Sequence, residues 1–446
     1  MSIPVAHSAV EHTAVPLPAE QAAPSAILTP RPLSLRKNFA WTLAGNVVYA
    51  GCQWGMLIVL AKLGSPEMVG QFALGLAVTG PVFMFANLQL RAVQATDARR
   101  EYEFRDYIGL RLLTTALAFL VIAGIAGFCG YRRETALVIL AIGTAKAVES
   151  VSDVIYGRLQ QQQRMDRIAR VQMVKGFISL VSWAAALYFT YSVACSAAAL
   201  AVTWATCLIV CDFPNGAWVQ GGRGESYRPS WNGASVWRLA WLALPLGVSM
   251  LLISLSTNIP RYFIEYHLGE RELGIFAALA YLMVAGHTVV VALGQSASPR
   301  LATLYVNQDL TAFRYLLLRL MGIAVLLGAL GIFLSYAAGR QILTLLYTAE
   351  YAAHSNVLIW LMGAAAVIYI ASFLGYSVTA TRCFRVQVPL FVLVATSSAF
   401  LCRYMVPAHR LHGAAWAVLL AAVVQVIGSA GINAYALRHA HNKGIA

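Results

Sequence analysis

The chain has 446 residues, of which 59% are hydrophobic and 11% charged, and its mean hydropathy is +0.68. A soluble domain carries roughly 25% charged residues, so these proportions exclude a soluble globular protein and point to lipid as the solvent. The formal net charge of +14 would suit nucleic acid, but its distribution excludes that partner, because the basic residues sort by side of a membrane rather than onto one patch.

Residues 1–35 hold Pro4, Pro16, Pro18, Pro24, Pro30 and Pro32 and no apolar run. They lack the basic start and hydrophobic stretch of a signal peptide and read as a disordered cytoplasmic tail. A spanning helix needs about 20 largely apolar residues. Such runs follow near 39–61, 70–90, 110–130, 134–157, 171–191, 193–213, 238–261, 272–294, 317–338, 355–378, 387–406 and 413–436. They do not alternate residue by residue, which excludes a β-barrel. The predicted fold is an all-α polytopic membrane protein of about twelve transmembrane helices. A first six-helix lobe covers 36–213 and a second covers 238–438, around a central cavity. The segment 214–237 is rich in glycine and reads as a cytoplasmic linker, and 439–446 as a cytoplasmic tail. The segments Arg91–Gly109 and Gln160–Arg170 read as charged surface helices on the same side. With the N-terminus inside, the outer segments hold only Lys62, Arg132, Arg133, Arg261, Arg271, Arg340, Arg403 and Arg410. The remaining basic residues, Lys146 apart, fall on the cytoplasmic side, Lys175 among them. This bias satisfies the positive-inside rule with both termini in the cytoplasm.

The segment Leu63–Ala73, LGSPEMVGQFA, returns as LGERELGIFA at Leu268–Ala277. Each copy joins one long apolar run to the next, half a chain apart. The two lobes are therefore expected to be parallel repeats, an arrangement found in transporters that rock one half against the other.

Polar residues inside spans are costly and so informative. Span one carries Thr42, Asn46, Tyr49 and Gln53 on one helical stripe, and span seven carries Gly247, Ser254, Asn258 and Arg261. The offset that aligns Leu63 with Leu268 also aligns Tyr49 with Ser254 and Gln53 with Asn258. Such stripes either line a cavity or hold helices together by hydrogen bonds. The outer ends of spans one and seven are expected to close on each other. In span four, Lys146, Glu149, Ser150 and Asp153 stand at i, i+3, i+4 and i+7, within an arc of about 100°. A charge at this depth must be paired or wet. The face is either a self-neutralising Lys146–Glu149 pair or a cluster that contacts substrate or ion. Arg261 either snorkels to the interface or faces an anionic head group. His287 reads as an interhelical hydrogen-bonder or a proton carrier. Cys52, Cys129, Cys195, Cys207, Cys211, Cys383 and Cys402 lie mostly within spans, without metal spacing, and read as packing residues. No nucleotide-binding loop, nucleophile elbow or zinc-protease motif occurs, so neither a cofactor nor an enzyme is expected.

Four features carry a family resemblance: two six-span lobes, the repeated joint after spans one and seven, Pro299 after span eight, and the segments Leu90–Asp97 and Asn258–Phe263. Over 36–438 the chain resembles the polysaccharide-export and O-antigen flippase branch of the multidrug/oligosaccharidyl-lipid/polysaccharide (MOP) superfamily. The resemblance implies a bacterial inner-membrane protein of polysaccharide or lipopolysaccharide biosynthesis. It would flip a polyprenyl-diphosphate-linked oligosaccharide to the outer leaflet by alternating access. Implied partners are that glycan, membrane lipid, and glycan polymerase or export proteins. A diphosphate needs cations in the path. Lys146 and Arg261 are the candidates within the membrane, and Arg91, Arg111 and Arg382 those at the cytoplasmic mouth. A cation-coupled multidrug exporter of the same superfamily is the first alternative, kept open by Glu149 and Asp153. A membrane glycan polymerase or ligase would need a larger outer loop than any present here.

Overall fold

The computed structural model describes residues 34–97, 101–219, 228–381 and 384–443. Arg382, most of the N-terminal tail and the middle of the 214–237 segment lie outside the described residues. Every element among the described residues is helical. In chain order they are α1 (Leu35–Leu63), α2 (Pro66–Ala86), α3 (Leu90–Thr96), α4 (Phe104–Phe128), α5 (Arg133–Gln161), α6 (Met165–Thr190), α7 (Val193–Cys207) and α8 (Phe213–Val219). The second half contains α9 (Gly233–Leu268), α10 (Glu270–Tyr281), α11 (Met283–Val306), α12 (Leu310–Leu346), α13 (Ala349–Ala352), α14 (Ser355–Ala380) and α15 (Phe384–Lys443).

All twelve apolar runs fall on these helices. Nine helices among the described residues are long and apolar enough to cross a membrane, and the α10–α11 pair, bent by 41°, makes another. The 29-residue α5 carries the charged face of span four. α15 supplies two crossings, because Arg410 leaves helical geometry (φ 50°, ψ −131°) and the chain doubles back. Its two arms then meet, with Leu390 packed into the space above Gly428.

Local chemistry sets the boundaries. Ser65 caps α2 by accepting the Met68 N–H at 3.4 Å, with Pro66 in the first turn, where a missing N–H costs nothing. The equivalent joint between α9 and α10 turns on Gly269, whose φ of +87° suits a residue without Cβ. The segment expected as one surface helix over Arg91–Gly109 is broken instead. The Asp97 carboxylate accepts the N–H groups of Glu101 (3.1 Å) and Tyr102 (3.3 Å), which stops the helix and turns the chain into α4. Gln160–Arg170 is likewise interrupted, at Gln163 with φ +57°.

The lobes repeat each other's packing. In the first, α1 lies on α6, while α2, α4 and α7 surround α5; in the second, α9 lies on α15, while α11, α12 and α15 surround α14. The core is uneven along the membrane normal. On the side away from the termini, one continuous core draws on both lobes and includes Leu60, Trp183, Leu273 and Tyr351. On the side of the termini it separates in two. One cluster holds Leu90, Leu110 and Leu159 of the first lobe together with Leu239 and Ala243 at the start of α9. The other holds Val290, Phe313 and Phe373 of the second lobe.

The lobes cross most closely at the repeated joint. A Cβ on Gly70 would stand 2.6 Å from the carbonyl carbon of Glu270, and a Cβ on Gly274 would stand 2.7 Å from the backbone nitrogen of Gly70. The expectation that spans one and seven close the outer side is therefore corrected. Spans two and eight, α2 and α10, make the tight crossing, because glycine on both lets backbone approach backbone. Around it, Glu270 accepts hydrogen bonds from Gln71 Nε2 (3.2 Å) and from Thr135 Oγ1. Arg271 pairs with Glu67 (3.7 Å) and with Glu350.

Candidate substrate site

In the half of the molecule where the core is split, the first lobe encloses a cavity of about 490 Å³. Its wall is the polar face of α5. Lys146, Glu149, Ser150 and Asp153 all line it, as their spacing on one helical face requires. The Lys146 Nζ donates to Glu149 Oε2 at 2.8 Å, and Tyr49 OH on α1 donates to Glu149 Oε1 at 3.2 Å. The polar stripe of span one thus meets the charged face of span four at Glu149.

Deeper toward the terminal face, Asp153 is held by two arginines. Arg111 Nη2 lies 3.0 Å from one carboxylate oxygen and Arg91 Nη1 lies 3.6 Å from the other. Arg91 lines the cavity, and its Nε donates to Gln160 Oε1 at 2.9 Å. Arg111 does not face the cavity. It is 1% exposed and stands behind the wall, donating to Asn87 Oδ1, which also accepts from Ser150 Oγ at 2.9 Å. Arg111 therefore positions Asp153 and Asn87.

The second lobe holds a separate, more apolar cavity of about 390 Å³, lined by Arg261 and His287 among others. Arg261 Nη1 donates to Asn258 Oδ1 at 3.0 Å and forms no ion pair among the described residues. Asn258 donates to the Ser254 carbonyl oxygen at 2.8 Å. Ser254 and Asn258 both approach Gly80 of α2, so this pair sits at the lobe interface. Asn46 is exposed and lines neither cavity, and Gln53 is half-buried beside Tyr49. Arg382 lies outside the described residues.

Sequence reasoning missed Lys175, Trp204 and Asp212. Lys175 was counted only among the basic residues of the cytoplasmic side. It stands ten residues into α6, about 15 Å along the helix, and is only 2% exposed. Its ammonium lies 4.4 Å from the Trp204 ring centroid, and that of Lys146 lies 5.5 Å from it, so one indole serves two cations. A lysine on the apolar stretch of α6, with Asp166 of the first turn as the helix's one acidic residue, was the available signal.

This architecture defines a class. A multidrug-resistance MATE transporter of the MOP superfamily, solved inward-facing, superposes with a TM-score of 0.70 at 12% identity, covering 89% of this chain and 94% of that one. The lipid II flippase MurJ, in an inward closed conformation, superposes with a TM-score of 0.68 at 12% identity, covering 90% and 91%. The protein is a multi-pass membrane protein with the two-lobe, twelve-helix fold of these transporters. Residues 35–305 match the polysaccharide biosynthesis protein family, and the chain belongs to it. It is 25% identical over 393 residues to the capsular polysaccharide biosynthesis protein CapF of Staphylococcus aureus, spanning 88% of this chain and 97% of that protein.

Proposed function

We propose that the protein flips a polyprenyl-diphosphate-linked oligosaccharide, a capsule, O-antigen or exopolysaccharide precursor, across the bacterial plasma membrane. Both termini face the cytoplasm, the cycle is alternating access, and the chain itself performs no covalent chemistry. The observation that carries this reading is the first-lobe cavity, walled by Lys146 and Arg91 and placed where the core divides. A diphosphate diester presents two negative charges that charge-assisted hydrogen bonds hold well. Arg91 is the looser of the two partners of Asp153, at 3.6 Å, and so is the more readily recruited. Sealing at Gly70 and Gly274 on the far side supports a state open toward the termini. The family match supports a glycan as cargo, and the likeness to MurJ and MATE folds supports a rocking transporter.

A cation-coupled drug exporter would use Glu149 and Asp153 as its binding acids. Both are already engaged by basic side chains, which favours an anionic cargo. Replacement of Lys146 separates the two. Lys146→Ala is expected to abolish glycan export at normal membrane abundance, and Lys146→Arg to retain part of it. The double change Lys146→Met with Glu149→Gln removes the charge imbalance and is expected to stay inactive. Full export by that double variant would remove Lys146 from substrate binding.

A further inference from the structure

α7 passes into α8 through a π-helical turn, Leu208–Asp212. Such turns are rare and frequently mark functional sites. The inner side of this one buries Asp212 against α5, and its outer side leaves Ile209 and Val210 exposed. Asn215 of α8 ties the turn to the start of α6. Its Nδ2 donates to the Cys211 carbonyl oxygen at 2.8 Å, and its Oδ1 accepts from Arg167 Nη1 at 2.7 Å. Between α6 and the turn lies a groove of about 380 Å³. Arg167 and Arg170 line it toward the start of α6, and Val171, Val174 and Val210 are among its apolar lining.

The groove is cationic at one end. Arg167 stands within electrostatic range of Arg164 and Arg170, with Asp166 as the carboxylate among them. Arg164 grips Asp166 through two bonds of 2.9 Å. The Arg170 guanidinium lies 5.1 Å from the centre of the Trp41 ring on α1, a contact that orients a cation without neutralising it. Three arginines against one carboxylate leave net positive charge at the groove. Beyond Arg170 the exposed surface becomes apolar. Val174, Phe177, Ile178 and Val181 share one face of α6 at i, i+3, i+4 and i+7, and all four are exposed. Arg170 and Val181 are eleven residues apart on that helix, about 16 Å, against roughly 15 Å for the hydrocarbon of one leaflet.

We infer that this groove binds an anionic phospholipid of the leaflet on the side of the termini, with its phosphate diester on Arg167 and Arg170 and an acyl chain along the apolar face of α6. The site lies apart from the substrate cavity and does not depend on the cargo; the topology proposed above makes the leaflet the cytoplasmic one. A phosphate diester carries one negative charge, and its two free oxygens match the planar fork of a guanidinium. Interfacial arginines in general reach toward water and select no lipid. Here Asn215 fixes the direction of Arg167, and the Trp41 ring fixes that of Arg170. A zwitterionic phospholipid would bring its own cation against the same arginines and gain less. Free phosphate would fill the cationic end and leave the apolar face uncovered.

The test uses the full chain in detergent micelles, with bound lipid read by native mass spectrometry. Phosphatidylglycerol and phosphatidylcholine with the same acyl chains are titrated separately. The wild-type protein is expected to bind phosphatidylglycerol roughly tenfold tighter, the scale of one charge-assisted hydrogen bond. Arg167→Gln with Arg170→Gln is expected to lose that preference. The control Arg314→Gln removes an exposed arginine at the start of α12 and is expected to bind as the wild-type protein does. Equal binding of the two lipids by the wild-type protein overturns the site. So does an equal loss in Arg314→Gln, which would reduce the effect to general surface charge. Val174→Trp keeps every charge and fills the groove, and it is expected to weaken phosphatidylglycerol binding. Unchanged binding in Val174→Trp overturns the site, also where the double arginine variant does not fold. Inorganic phosphate is expected to leave the bound lipid in place. Displacement of the lipid by equimolar inorganic phosphate would show an anion site without an acyl track and overturn the proposal.

Discussion

The lobe crossing at Gly70 gives a perturbation whose size can be worked from geometry. In Gly70→Ala the new Cβ would stand 2.6 Å from the Glu270 carbonyl carbon and 3.1 Å from its Cα. Carbon atoms rest at about 3.5–4.0 Å, so α2 and α10 must part by roughly 1 Å. The Gln71–Glu270 hydrogen bond, now 3.2 Å, then stretches beyond useful range. Losing one hydrogen bond to a charged group costs about 1.5–3 kcal/mol. At about 1.4 kcal/mol per factor of ten, the closed form of this crossing loses roughly ten- to hundredfold in population. The assay is labelling of a single cysteine at Leu273, which is fully buried in the core shared by the lobes. The background lacks the native cysteines, and the maleimide is membrane-impermeant and added from outside. Labelling is expected to be slow with Gly70 and fast in Gly70→Ala, and Gly274→Ala should act in the same direction. Equal labelling in all three proteins would show that the crossing does not seal the outer side.

Three further outcomes follow from particular contacts. Trp183 is fully buried with its ring 4.8 Å from that of Phe72, so Trp183→Ala is expected to cost about 3–5 kcal/mol, read as a lower melting temperature in detergent. Arg111→Met removes the buried partner of Asp153, which keeps only the looser Arg91, and leaves Asn87 short of a donor, so it should lower abundance in the membrane; adding Asp153→Asn should recover abundance but not export. Gln71→Cys with Glu270→Cys should cross-link on oxidation and stop export, and reduction should restore it; unimpaired export by the cross-linked protein would show that α2 and α10 need not separate.

Most of the architecture was legible because it follows from burial periodicity and duplication. The repeated joint at Leu63 and Leu268 marked two equivalent lobes, and its glycines, Gly70 and Gly274, turn out to be where the two lobes' backbones approach most closely. The charged face of α5 was readable because i, i+3, i+4 and i+7 admit only one helical geometry. What could not be read depends on contacts between distant segments. Nothing local to Arg111 says that it lies behind the cavity wall, since its position is set by Asn87 and Asp153. Asp212 follows Cys211 at the end of an apolar run and reads as an ordinary helix terminus. The π-helical turn that buries it is settled by packing against α5. The burial of Lys175 was hidden in the same way, because it depends on packing against Trp204 of α7.

Leaflet exchange by the purified protein tests the transport reading most directly. Reconstituted in liposomes, it would be given a fluorescent prenyl-diphosphate-linked oligosaccharide, with access from outside reported by an impermeant quencher or a glycan-cleaving enzyme. Exchange is expected with the wild-type protein and is expected to be lost in Lys146→Ala and in the cross-linked Gln71→Cys/Glu270→Cys protein. No exchange above protein-free liposomes, or equal exchange in all three proteins, would contradict transport of a lipid-linked glycan through the first-lobe cavity.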